Sequence, residues 1–169
     1  ERSIQAKDLA ERAILRNVPL RYGFGDNCCH DSGWIKQAIP SIQIFGDVHH
    51  ILARYRDAMP KTNPAKVGWV MRHLSAILCG ESPTFSNLGN TTEIYKRMTD
   101  FLQSIKQLEQ DDKLNENDRI ITEKVLHVHS LQQTHITQCL PNETVTQFVS
   151  DRHGRSVCCR GTSEIGRAS

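Results

Sequence analysis

No apolar run in the sequence approaches the roughly 18 residues that a membrane-spanning helix needs, so no membrane insertion is expected. C-x-x-C spacing is absent, which argues against a zinc ribbon or a thioredoxin-like redox centre. There is no G-x-S-x-G, no P-loop, no H-E-x-x-H and no G-x-G-x-x-G. Charge of one sign is scarce as an excess: the formal net charge is +2, too small for a binder of polyanions. Arg152, Arg155, Arg160 and Arg167 make the C-terminal stretch locally basic, but no aromatic residues are interleaved with them, and no nucleic-acid partner is expected. Aromatics reach only 6%, yet apolar residues total 38%, and a chain of 169 residues can still bury one real core.

Catalytic groupings are also missing. Asp111 and Asp112 are adjacent carboxylates in a charged, turn-rich stretch, where burial cannot raise a pKa. Of the eight histidines, the adjacent His49 and His50 project from different sides of a helix, as do His127 and His129. Glu123 and His127 share a face at i, i+4, with His135 two turns further on; the expectation is a polar surface, with no metal ion and no other cofactor assigned. The chain is not expected to be an enzyme.

Sulfur is what the sequence does contain. Cys28, Cys29, Cys79, Cys139, Cys158 and Cys159 are even in number and form two vicinal pairs and two single residues. Three disulfides in an oxidising compartment are the expectation, and six cysteines leave 15 pairings open. One residue of each doublet could instead link two chains. Two sequons, at Asn90 and Asn142, lie in polar, turn-like sequence where a sugar would be tolerated. The chain opens at Glu1 with neither an initiator Met nor a signal-like segment. A processed, secreted, extracellular glycoprotein is therefore expected.

Apolar spacing predicts helices over residues 4–17, from about 41 to 59, from 64 to 79, from 91 to 108 and from 118 to 138. Asn63-Pro64 is a strong start signal, since Asn can cap and Pro suits the first helical position. The segment "VPLRYGF", residues 18–24, alternates well enough for a short strand. The Gly/Ser/Arg-rich sequence after Val149 reads as an irregular tail. The organisation is one helical domain over residues 1–150, followed by a tail over 151–169 anchored by Cys158 and Cys159. The fold class is all-α: a disulfide-linked helix bundle that leaves room for a short two-stranded β element and one extra C-terminal helix.

Certain side chains carry a resemblance. Arg54-Tyr55-Arg56-Asp57, a short Pro-containing joint, and a helix with Leu74-Ser75 that ends at Cys79 resemble the second and third helices of macrophage colony-stimulating factor. "VPLRYGF" resembles the short strand after the first helix of that factor and of stem cell factor. "TTEIYKRMTDFLQSIKQL", residues 91–108, resembles the fourth helix. The chain thus resembles the short-chain four-helix growth factors that bind class III receptor tyrosine kinases, over about residues 8–108. It departs from them in the Cys28-Cys29 doublet, in the strong helix over 118–138 and in the distant Cys158-Cys159 pair.

The resemblance implies a four-helix cytokine-like bundle and a secreted growth factor that, as a homodimer, brings two cell-surface receptors together. It places the contacts on the first and third helices, and the residues assigned to receptor binding are Lys7, Glu11, Arg12, Lys66, Arg72 and His73. Two other readings fit the same composition. One is a secreted carrier of a small apolar ligand, or a decoy that holds a receptor without signalling. The other is a small metalloenzyme built on Glu123, His127 and His135.

Overall fold

The computed structural model describes residues 2–17, 20–25, 28–79, 90–111, 116–140, 147–150 and 156–159. Helix α1 spans Arg2–Leu15 and is closed by Asn17, whose φ of 53° is the left-handed conformation Asn tolerates at a helix end. Strand β1 (Tyr22–Gly25), helix α2 (Cys28–Ala38) and strand β2 (Gln43–Gly46) follow, with β1 and β2 paired in parallel. Then come α3 (Val48–Ala58), α4 (Pro64–Cys79), α5 (Thr91–Asp111) and α6 (Glu116–Leu131). A six-residue helix α7 (Gln133–Gln138) continues α6, and strands β3 (Gln147–Ser150) and β4 (Ser156–Cys159) pair antiparallel.

The caps explain where the helices begin. Asn63 Oδ1 accepts the Lys66 amide at 3.1 Å ahead of Pro64, and Asn90 Oδ1 accepts the Glu93 amide at 3.1 Å. Asp47 accepts the His49 amide at 2.9 Å and so sets the start of α3 at Val48, about seven residues later than the apolar spacing suggests. Residues 43–46, expected to be helical, are a strand instead. Their partner is the strand foreseen around Tyr22, and the Tyr22 and Phe24 rings lie 6.0 and 6.1 Å from that of Phe45. A cross-strand ladder outweighs helical spacing here.

The expected single helix over 118–138 is divided at Gln132, which has φ −89° and ψ 0°. Its N–H is shared between the carbonyls of Val128 and His129, and its Oε1 accepts from Arg54 Nη1 at 2.9 Å. The stretch expected to be an irregular tail contributes β4, so Cys158 and Cys159 lie on a paired strand.

The core is a ring of four helices. α3 packs on α4, α4 on α5, α5 on α6 and α6 on α3. Val48, Ile51, Tyr55, Val70, Leu74, Leu78, Met98, Leu102, Ile121 and Val125 are all buried inside it. Polar contacts fix the directions. Asn63, just after α3, meets Asp118 at the start of α6, whereas Tyr55 meets His129 near the end of α6. Lys66 in the first turn of α4 pairs with Glu109 near the end of α5. Glu109 accepts from Thr122 of α6, and Thr99, in the first half of α5, meets His129.

Every neighbouring pair in the ring is therefore antiparallel, and the links over 59–63 and 112–115 are short. Cytokine bundles run up-up-down-down with two long crossovers, whereas this ring runs up-down-up-down. The helix that completes it is α6, not α1. The reason is burial: Ile121 and Val125 are fully enclosed, while Ile14 and Leu15 of α1 are 78% and 84% exposed. α1 packs chiefly on α2, outside the ring.

One polar network lies wholly within the core. His129 is 2% exposed and stacks on Tyr95 with ring centroids 4.3 Å apart. Thr99 donates its one hydroxyl proton to the Tyr95 carbonyl at 2.9 Å, so its oxygen accepts from His129 Nε2–H at 2.8 Å. Nδ1 is then the acceptor for the Tyr55 hydroxyl at 2.8 Å. Both ring nitrogens are satisfied by a neutral imidazole of a single tautomer. Burial lowers the His129 pKa to about 4 and pushes the Tyr55 hydroxyl up.

Candidate functional site: a cysteine–histidine cluster and an aromatic groove

Cys28 and Cys29 are the first two residues of α2; His135 lies on α7 and Cys139, four residues on, is its C-cap. More than a hundred residues separate the two pairs in sequence, and the end of β2 joins them. Gly46 donates its N–H to the Cys139 carbonyl at 2.6 Å. A Cβ at this glycine would come within 3.3 Å of Cys28 Sγ and 3.6 Å of Cys139 Cβ, so the side-chain-free residue is what permits the approach.

The ligand atoms of Cys28, Cys29, His135 and Cys139 all lie within 4.8 Å of one another. Cys28 Sγ and Cys29 Sγ are 4.0 Å apart, and each is 3.6 Å from His135 Nδ1. Cys29 Sγ and Cys139 Sγ are 3.2 Å apart, and all three cysteines carry free thiols.

Electrostatics favours charge on sulfur at this point. A hydrogen bond from Cys139 holds the Cys28 thiol down at about 5, with His135 and Cys29 helping and burial opposing. The same bond, with burial, pushes the Cys139 thiol up, so it is the proton holder of the pair. Both α2 cysteines also sit at the positive end of a helix. Cys28 is only 3% exposed, which closes it to a bulky electrophile. The arrangement is suited to holding a thiophilic ion rather than to attacking a substrate.

The sequence contained a signal for this cluster. Histidine and cysteine four apart on a helix are a ligand pair, but His135 was grouped with Glu123 and His127, both of which are exposed. The side chains of Cys79, Cys158 and Cys159 lie outside the described ones. Asn142 also lies outside the described residues. Asn90, the first residue of the other sequon, is exposed at the start of α5 and caps it through Oδ1.

A second feature lies on the outside of the ring, between α4 and α5. Trp69, His73 and Phe101 pack together, with centroids 4.5 Å apart for Trp69–His73 and 5.4 Å for Trp69–Phe101. His73 and Phe101 are stacked at 5.0 Å, and His73 Nδ1–H donates to the Trp69 carbonyl at 2.9 Å. Beside them an open groove of about 410 Å³ runs between Ala65, Trp69, Ile105 and Leu108. Trp69 is 38% exposed and Leu108 66% exposed.

Of the residues assigned to receptor contact, His73 belongs to this cluster and Arg72 is exposed next to it. Lys66 is different. Its side chain is 12% exposed, pairs with the buried Glu109, and donates to the Asp118 carbonyl at 2.6 Å. It holds the end of the bundle together and has little surface to offer a partner. Lys7, Glu11 and Arg12 are exposed on α1, with Arg12 paired to Asp8 at 2.8 Å. They lie on a different helix pair from the groove. No helix of the described residues is long and apolar enough to cross a membrane. No family model matches this chain, and neither a curated protein nor a solved structure matches it.

Proposed function

We propose that this protein is a secreted helical ligand that binds a cell-surface receptor through the α4–α5 face and, as a homodimer, brings two receptors together. The observation that carries the reading is the Trp69–His73–Phe101 cluster bordering an apolar groove, with Arg72 exposed next to His73 in the sequence. Trp and Arg are the side chains most often found as binding hot spots, and a groove beside them can take an anchor from the partner. The reading does not lean on cytokine topology, since the ring runs up-down-up-down. It leans on a surface that includes His73, one of the three α4 positions that the growth-factor resemblance assigns to receptor contact.

A carrier would need an enclosed cavity, and this groove is open along its length. The homodimer would have the exposed Leu9, Ile14 and Leu15 of α1 to bury. The class III receptor tyrosine kinases are the receptors to test first.

The test is surface plasmon resonance of the full chain against the ectodomains of those receptors. Saturable binding is expected, with Trp69→Ala weakening it by at least tenfold while the melting temperature stays within a few degrees. Binding that Trp69→Ala leaves unchanged, or no binding to any of them, would overturn the proposal.

A further inference from the structure

We propose that Cys28, Cys29, His135 and Cys139 form a structural Zn²⁺ site that clamps the start of α2 to the end of α7. The argument is geometric. Tetrahedral zinc with sulfur at about 2.3 Å and nitrogen at about 2.0–2.1 Å places its sulfurs about 3.8 Å apart and each sulfur about 3.6 Å from the nitrogen. Cys28 Sγ and Cys29 Sγ each lie 3.6 Å from His135 Nδ1 and 4.0 Å from one another. The 3.2 Å Cys29–Cys139 separation would have to open by roughly half an ångström for such a tetrahedron, and the two other distances to Cys139 Sγ lie within 4.8 Å. The Cys29–Cys139 separation is also well beyond the approximately 2.05 Å of a disulfide bond.

Three sulfurs and one imidazole nitrogen make a closed Cys₃His set. Four protein ligands leave no position for water or substrate, which is the pattern of structural rather than catalytic zinc. Borderline-soft Zn²⁺ suits this donor set, and Mg²⁺ and Ca²⁺, which prefer oxygen, do not. The helix position of the two vicinal cysteines is a second, independent feature. Their sulfurs stand at the positive end of α2, where thiolates are favoured.

The clamp also has mechanical sense. The βαβ unit of β1, α2 and β2 lies outside the four-helix ring. Its ties to the end of α7 include the Gly46–Cys139 hydrogen bond and this cluster. Zinc would convert that contact into a covalent-strength junction, so that α7 orders together with α2.

The experiment uses the full chain, purified with zinc and a non-thiol reductant. Elemental analysis is expected to give one zinc per chain, and cobalt substitution the charge-transfer and d–d bands of tetrahedral thiolate coordination. Cys29→Ser and Cys139→Ser should each weaken zinc by more than the roughly 100-fold that substitutions outside the ligand shell reach. Cys158→Ser and Cys159→Ser should leave the stoichiometry and the cobalt spectrum unchanged. Should the ligand variants not fold, chelator competition on the unsubstituted chain still decides, because extraction of zinc must release three reactive thiols that were protected before. The proposal is overturned if the native chain binds no zinc, if Cys29 and Cys139 are joined as a disulfide in freshly purified protein, or if zinc is lost only with Cys158 and Cys159.

Discussion

Acid should loosen this protein through one histidine, and the size of the effect can be worked out in advance. His129 is enclosed between Tyr55, Tyr95 and Thr99, with both nitrogens already used by a neutral ring. Its ordinary value of 6.5 falls to about 4 in the folded state because burial penalises the charged form. Below pH 6.5 the unfolded chain takes up a proton that the folded chain refuses. Stability is therefore full above pH 6.5 and is lost progressively as pH falls to 4. A gap from 6.5 to about 4 corresponds to about 3 kcal/mol, a sizeable share of the roughly 5–15 kcal/mol that holds a domain folded.

Urea unfolding at pH 7, 6, 5 and 4, run in parallel on the natural chain and on His129→Gln, isolates the term, since all other titrating groups cancel in the difference. The variant should start lower at pH 7 by about 1–3 kcal/mol, because the Tyr55 hydroxyl loses its acceptor. The difference should then shift by about 3 kcal/mol in the variant's favour by pH 4, which closes the gap or reverses it. A gap that stays constant with pH, or a native-state proton titration placing His129 near 6.5, would refute the reasoning.

Three further outcomes are expected. Glu109→Ala should cost about 3–5 kcal/mol in chemical unfolding because it strands the Lys66 ammonium in the core, whereas the double variant Lys66→Met, Glu109→Leu should lose far less. Ile14→Glu with Leu15→Glu should turn a dimer into a monomer by light scattering without lowering the melting temperature, since both side chains are almost fully exposed. Gly46→Ala should destabilise by about 1–3 kcal/mol, because the new methyl comes within 3.3 Å of Cys28 Sγ and the buried thiol must shift to admit it.

What could be read from the sequence follows the range of the interactions involved. α4 is legible end to end and α5 to within three residues of its end, because local signals agree: Asn63-Pro64 as a start, and apolar stripes at helical spacing. Residues 43–46 were misread because their conformation depends on a strand more than a dozen residues away. Ile44 fits a helical stripe as well as it fits a ladder opposite Gly23. Whether the helix over 118–138 belongs to the bundle stays open in the sequence for a related reason. The apolar stripes of α1 and α6 look alike, and only the packing shows which is enclosed.

The candidate sites divide in the same way. His73 and Arg72 could be picked out from their position on α4, but their neighbour Phe101 comes from α5 and could not. Lys66 read as one more solvated charge because its partner Glu109 is supplied by another helix. The sulfur cluster needed three elements to converge, α2, β2 and α7, and of these only the His135–Cys139 spacing was a local signal.

The claim on which the account turns is that the α4–α5 face engages a receptor and that the engagement brings receptors together. Autophosphorylation in cells that each bear one class III receptor tyrosine kinase measures it. The account predicts that the natural chain raises phosphorylation of at least one of these receptors, and that Trp69→Ala at equal concentration does not. A response that Trp69→Ala retains in full, or the absence of any response across the receptor class, would contradict it.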